Sequence, residues 1–281
     1  MRTTAARSSR IATLHRHVRR LESELRRVRK DVADVEAVHD ARVAARRLLA
    51  AGELWAFGAA GWPSLRDRLP RFVRRLGRLR NLDVALAFLA QGPAKDRAAR
   101  KALARALRRM RKRRRRRVLD WLEASRIRRL VRLADDVTDE IRRQPLGAMP
   151  GPSDLAAYFA RIHALSSGIA WTADPDRAHE IRREIRRLRY AHETLAWAYP
   201  RADHARAARA LRTVQDSAGD WQDREVVARL ADRALRKGRV DVPLTPLLAR
   251  LQSESRSLVH AFAEALERLE AVRPTMLEED R

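Results

Sequence analysis

Two histidines, His39 and His179, each open the same pattern, His-x-x-Arg-x-x-x-Arg-Arg-Leu, about 140 residues apart. An Arg guanidinium presents a planar fork that grips phosphate oxygens in pairs and stays charged at any working pH. At about 100° per residue, His179, Arg182, Arg183, Arg186, Arg189, Tyr190 and Glu193 fall on one side of a helix. Ile181, Ile185, Leu188 and Leu195 fall on the other. The first copy repeats this with His39, Arg42, Arg46 and Glu53 opposite Ala41, Leu48 and Trp55. Each helix is thus expected to bury one stripe and present a basic stripe opposite. Several arginines on one stripe repel one another, and a solvated face would intersperse Glu at i+4 to relieve them. Little such relief is written here, which points to an external anion.

Other chemistries fit less well. Metal binding would need a His-Glu-x-x-His pattern, cysteines or a second His at i+4, and none is present. His15-x-His17 near the terminus is a weak signal. A general base would need an oriented partner and a nucleophile. A helix-start His that caps or packs is the plain alternative; the repeat and its Arg spacing favour an anion-contacting His. Asp83, Asp220 and Asp223 follow interior glycines and are read as groups that neutralise and orient arginines, rather than as acid–base or metal-binding carboxylates. No Gly-rich phosphate loop or Ser-His-Asp arrangement stands out.

The densest basic run is RRMRKRRRRR, Arg108 to Arg117. Leu103, Leu107 and Met110 precede or interrupt it and Val118, Trp121 and Leu122 follow, so it is expected inside a helix rather than in a loose tail. Only some of its residues can face one ligand, and Arg113, Arg116 and Arg117 are the candidates.

Composition agrees with an anionic partner. The 281 residues carry 62 basic and 36 acidic side chains, a formal net charge of +26. Such a field attracts nucleic acid, an acidic membrane face or another polyphosphate. A GC-rich genome would also favour Arg over Lys, and accounts equally well for that bias. Aromatics are 5% of residues, few for a single-strand binder that stacks bases along a basic groove. Without cysteine there are no disulfides, thiolate metal sites or thiol nucleophiles, which fits a reducing compartment. No apolar run approaches the ~20 residues of a membrane span. The Arg- and Ser-rich start resembles a transit peptide, but Leu14 to Lys30 continues as a helical pattern and favours a structural first helix.

The elements that must position these residues read as helices throughout, because Ala, Leu, Arg and Glu dominate. Prolines punctuate the chain near Pro63, Gly92–Pro93, Pro175, Pro200 and Pro246. The expected helices span roughly 8–31, 35–60, 64–90 and 94–143, the last bending near Ser125, then 153–170, 175–198, 203–237 and 246–272. Asp174 is expected to cap the helix that Pro175 begins, and Thr245 the one at Pro246. The Pro/Gly stretch Gln144 to Ser153 marks a boundary, so a single domain 1–281 divides into repeats 1–146 and 147–281. The repeat extends beyond the histidines: Gly77 aligns with Gly219, Asn81 with Asp223, Asp83 with Glu225 and Val84 with Val226. Each interior Gly costs about 1 kcal/mol against Ala and is expected to mark a kink or a close helix approach.

Four segments in order carry a family resemblance: VEAVHDARVAARRL, RLGRLRNLDV, HEIRREIRRLRYAHETL and VQDSAGDWQDREVV. They resemble the CHAD family, the conserved-histidine α-helical domains. The resemblance implies an all-α fold of two four-helix bundles related by a pseudo-two-fold axis. It also implies a central basic channel for inorganic polyphosphate and association with polyphosphate granules in the cytoplasm. Carried over residue by residue, the ligand positions are His39, Arg42, Arg46 and Arg47 in the first copy. In the second they are His179, Arg182, Arg183, Arg186, Arg187 and Arg189, with Tyr190 following. Leu49, Asn81 and Ala218 stand where the family usually has a basic residue, Asp and Leu. The Glu-x-Glu-x-Lys signature of the triphosphate-tunnel domain often fused to this family is not found, which argues against an attached triphosphatase. The expectation is therefore a non-catalytic polyphosphate binder without a cofactor. The rivals are a nucleic-acid binder, for which non-specific contact would follow from charge alone, and a phosphoanhydride-acting enzyme. Inositol phosphates and nucleoside polyphosphates remain open as ligands.

Overall fold

The computed structural model describes residues 2–56, 58–144, 152–167 and 171–277, with side chains from Ser9 onward. Ten α-helices occupy them in the order α1 (Arg2–Lys30), α2 (Val35–Trp55), α3 (Trp62–Ala90), α4 (Arg97–Trp121), α5 (Ala124–Arg143), α6 (Ala156–Ser166), α7 (Pro175–Thr194), α8 (Arg201–Arg236), α9 (Thr245–Glu270) and α10 (Arg273–Leu277). The described residues contain no strand, so the all-α expectation holds.

Local chemistry explains the helix ends. Asp34 caps α2 by accepting the Ala37 N–H at 2.9 Å. Asp174 caps α7, as expected, accepting N–H groups of Asp176 and Arg177 at 3.0 and 3.1 Å. Both caps satisfy donors that a first helical turn leaves orphaned. Thr245 is not a cap. Leu244 holds that position and Thr245 is already the first residue of α9, with no side-chain capping bond. Past the end of α3, Gly92 adopts φ 122°, and Arg100 closes the turn by donating to the carbonyls of Leu89, Gln91, Gly92 and Pro93 at 2.9–3.1 Å.

The long helix expected over 94–143 is two helices. α4 ends at Trp121 and α5 begins at Ala124, so the chain breaks just before the expected bend at Ser125. Arg126 braces the break by donating to the Trp121 carbonyl, and its guanidinium lies 5.1 Å from the centre of the Trp121 ring. α2 stops at Trp55, short of the expected residue 60, and α7 stops at Thr194, followed by a 3-10 turn at Ala196–Ala198. The boundary at 146/147 lies outside the described residues, as do residues 168–170 at the expected end of the 153–170 helix.

Packing joins the two halves of the sequence. α2 lies against α7 and α3 against α8, which are the helices that the repeat pairs. One large apolar cluster runs from Ile11 to Met276 and takes residues from both halves, including Leu48, Leu76, Ile185 and Leu211. A smaller cluster joins α3, α4, α8 and α9 through Leu82, Leu103, Leu107, Val227 and Leu251. Close approach is sharpest where α2 meets the start of α3: a Cβ on Gly52 would stand 2.2 Å from the Trp62 ring. No side chain fits there, so Gly52 is fixed by packing.

Candidate anion-binding site

Four guanidinium groups meet where α2 and α7 pack. Arg42 and Arg46 come from α2, and Arg182 and Arg186 from α7. The i, i+4 spacing within each pair puts both members on one face of their helix. Burial and mutual repulsion hold these groups far below the ordinary Arg range. Arg186 is lowered to about 8, by burial first and then by Arg182, Arg46 and Arg42. Arg42 is lowered to about 9, by burial and then by Arg46, Arg182 and Arg80 of α3. Arg182 is lowered to about 10, by burial and Arg46, while Asp223 of α8 opposes the shift. Arg46 is also lowered by burial, partly offset by the neighbouring Tyr190 phenol, while Arg189 adds to the fall. Arg42 and Arg182 stay charged at neutral pH, and the shifts record the cost of holding charge there without a counter-ion.

None of the four has a carboxylate within ion-pair distance among the described residues. Arg42 Nε, Arg182 Nε and Arg186 Nη2 are buried and lack hydrogen-bond partners, and so is Arg189 Nε. Native proteins rarely leave buried donors unmade, since each costs about 1–3 kcal/mol and more for a charged group. Three orphaned nitrogens in one cluster mark a place built for acceptor oxygens.

The two histidines border this cluster. His39 is lowered by burial, Arg80 and Arg42. His179 is also lowered, chiefly by burial, and its Nδ1 lies 2.7 Å from Gln222 Oε1 of α8. Both imidazoles are therefore neutral at pH 7, able to hydrogen-bond but not to add charge. Asp223 feels the charges of Arg182 and Arg80, while burial raises its pKa. Asp83 accepts from Arg111 Nε of α4 at 2.5 Å, the arginine-orienting role expected of it. The Arg42 guanidinium packs against α3 at Gly77, 3.5 Å from where a Cβ would stand. That is ordinary side-chain contact, so the close helix approach expected at interior glycines is not found at Gly77. Nothing lies within 4 Å of the equivalent point on Gly219.

Other sequence candidates go elsewhere. Arg183 is exposed and lies 3.5 Å from Glu180. Arg187 is exposed and bonds Glu184, which also accepts from Arg161 at 3.0 Å. Glu53 joins that group, next to Arg187 and Arg66, rather than the central arginines. Arg47 and Arg189 both pair with Glu193, at 3.1 and 3.2 Å, and flank Tyr190. The relief missing from the sequence stripe is therefore present for Arg183, Arg187, Arg189 and Arg47, and absent for the inner four. Arg113 and Arg117 line a cleft of about 160 Å³ with Arg114, Arg233 and Arg239. Arg116 is exposed and does not line that cleft.

Sequence reasoning missed Arg80, Arg114 and Arg233. Arg80 lies in the quoted segment RLGRLRNLDV and depresses both Arg42 and His39. Its place three residues after Gly77 was the available signal. Arg114 is lowered by burial, Arg78, Arg117, Arg233 and Arg75. Among the described residues no group of three or more His, Asp or Glu side chains could hold a metal ion, and no helix is long and apolar enough to cross a membrane.

Fold and site together define an all-helical protein that gathers uncompensated arginine between two His-bearing helices. A family model described as the CHAD domain matches residues 12–232, and the chain belongs to that family. It is similar to the crystal structure of the CHAD domain from the plant Ricinus communis, with a TM-score of 0.65 and 22% identity over 96% of this chain and 91% of that one. It is also similar to PptA from Streptomyces chartreusis, with a TM-score of 0.66 and 20% identity over 94% of this chain and 99% of that one. No curated protein matches the sequence.

Proposed function

We propose that the protein binds inorganic polyphosphate without turning it over, on the surface that Arg42, Arg46, Arg182 and Arg186 share, and that this binding attaches it to polyphosphate granules. The observation that carries the reading is the set of buried, carboxylate-free guanidinium groups with unmade hydrogen bonds. Membership of a family associated with polyphosphate binding supports it. Polyphosphate is a flexible chain of phosphates without bases, so it needs Arg forks and neutral His donors but no stacking platform. His39, His179 and Arg80 complete the central surface. Arg113, Arg114 and Arg117 extend the positive field along α4.

Net charge favours non-specific nucleic-acid contact as a second reading. Competition separates the two: long-chain polyphosphate against DNA and RNA of equal charge at near-physiological salt, with the wild-type chain and Arg186→Ala. Polyphosphate is expected to displace both nucleic acids and to lose affinity in the variant. Displacement of polyphosphate by DNA would overturn the reading.

A further inference from the structure

A second cleft, of about 510 Å³, lies between α1, α2 and α7 and is lined by Thr13, Arg16, His17, Arg47, Tyr190 and Trp197 among others. That volume is within the roughly 300–1,000 Å³ of small-molecule sites. Its chemistry differs from that of the central cluster in one respect. Trp197 is 41% exposed, one of only two large apolar side chains so exposed among the described residues. A phosphate chain has no use for an indole face, whereas a planar base does.

The remaining lining suits the rest of such a ligand. Arg16 is exposed and has no carboxylate partner among the described residues, so its guanidinium is free to take a phosphate. Arg47 is held at the cleft by its 3.1 Å bond to Glu193. His17 is lowered to about 4 by burial and by Arg47 and Arg16. It is therefore neutral at pH 7 and offers one donor and one acceptor, fit for ribose hydroxyls or a base edge.

We infer that this cleft is a nucleotide site: Arg16 takes the phosphates of a nucleoside di- or triphosphate, Arg47 and its partner Glu193 line the cleft beside it, and the base stacks on Trp197. The inference does not depend on polyphosphate binding at the central arginines. The helix α1 acquires a role of its own, since it supplies Thr13, Arg16 and His17.

The test is calorimetric titration with ATP, tripolyphosphate, long-chain polyphosphate and a short oligonucleotide, using the wild type, Trp197→Ala, Trp197→Phe, Arg16→Ala and Arg186→Ala. Trp197→Ala is expected to weaken ATP binding about five-fold or more, Trp197→Phe to restore most of it, and Arg16→Ala to weaken it. Arg186→Ala should leave ATP binding unchanged, and Trp197→Ala should leave long-chain polyphosphate binding unchanged. If ATP binding instead fell with Arg186→Ala and ignored Trp197→Ala, ATP would be one more polyanion at the central cluster and the cleft would not be its site. If the wild type bound polyphosphate and not ATP, the nucleotide proposal would fail while the central-site reading stood; binding of the oligonucleotide alone would overturn both.

Discussion

The Arg46 guanidinium of α2 lies beside the Tyr190 phenol of α7, which offsets part of the fall that burial imposes on the Arg46 pKa. Tyr190 is 4% exposed, so the phenol is a buried polar neighbour of that charge. Tyr190→Phe keeps the ring and deletes the phenol oxygen. The free protein is expected to lose about 1–3 kcal/mol of stability, the cost of removing a polar partner beside a buried charge. Denaturant titration measures this. Added polyphosphate should raise the variant's stability by more than the wild type's, because the ligand supplies the missing acceptor. Equal gains would place Arg46 outside the ligand's reach.

Arg186 carries the opposite sign. Arg182, Arg46 and Arg42 all repel it, and its Nη2 is buried without a partner. Arg186→Met keeps the stem and removes the charge. The free variant is expected to be at least as stable as the wild type, since uncompensated buried charge is lost. Polyphosphate affinity should fall by about 1.5–3 kcal/mol, roughly 10- to 150-fold. Thermal melting and binding titration on one preparation decide it. A variant that melted early would make Arg186 part of a structural network.

Sequence revealed the helices and the two basic stripes because period and composition are local properties. It did not separate the stripe into paired and unpaired arginines. Arg183 and Arg186 look alike on a helical wheel, yet Arg183 meets Glu180 while Arg186 meets other arginines. Glu180 lies three residues before Arg183, so that pair was legible in principle. The cluster around Arg186 was not, because it depends on where α2 crosses α7. The roles of Arg80 and Arg114 were missed for a related reason: most of the charges that act on them come from other helices. The Thr245 cap failed because Ser/Thr preference before a Pro cannot tell the cap from the first helical residue.

Salt should weaken binding steeply. A protein that neutralises Z phosphates of its ligand releases their counter-ions, so log affinity is expected to fall linearly with log salt, by analogy with DNA. Arg46→Ala and Arg186→Ala should each make the slope shallower by about one. A flat response in the wild type would show that binding is not ionic.

No phosphate release above background is expected from polyphosphate or tripolyphosphate with Mg²⁺ or Mn²⁺. Asp83 is paired with Arg111, and Asp223 feels Arg182 and Arg80, with no cluster of carboxylates to hold a metal among the described residues. Release that disappeared in Asp223→Ala would identify an enzyme.

Stability should depend on pH through a buried histidine that lines neither cleft. His192 is fully buried, stacks on His204 at 4.5 Å and packs by Tyr199 at 4.8 Å, and neither ring nitrogen has a hydrogen-bond partner. Burial, then His204, lowers it from 6.5 to about 3. His204 is lowered as well, by burial and Arg212, with Glu193 opposing. Between pH 6.5 and 3 the unfolded chain binds a proton at His192 that the folded chain refuses. Stability is thus fullest above pH 6.5 and falls as the pH drops through that window. At pH 5 the share of His192 alone is about 2 kcal/mol, at 1.36 kcal/mol per unit. His192→Phe fits the aromatic stack and cannot titrate. Denaturant unfolding at pH 7 and pH 5 should therefore show a smaller loss in this variant than in the wild type. An unchanged loss would assign the acid sensitivity to other groups, His17 first, since burial lowers it to about 4.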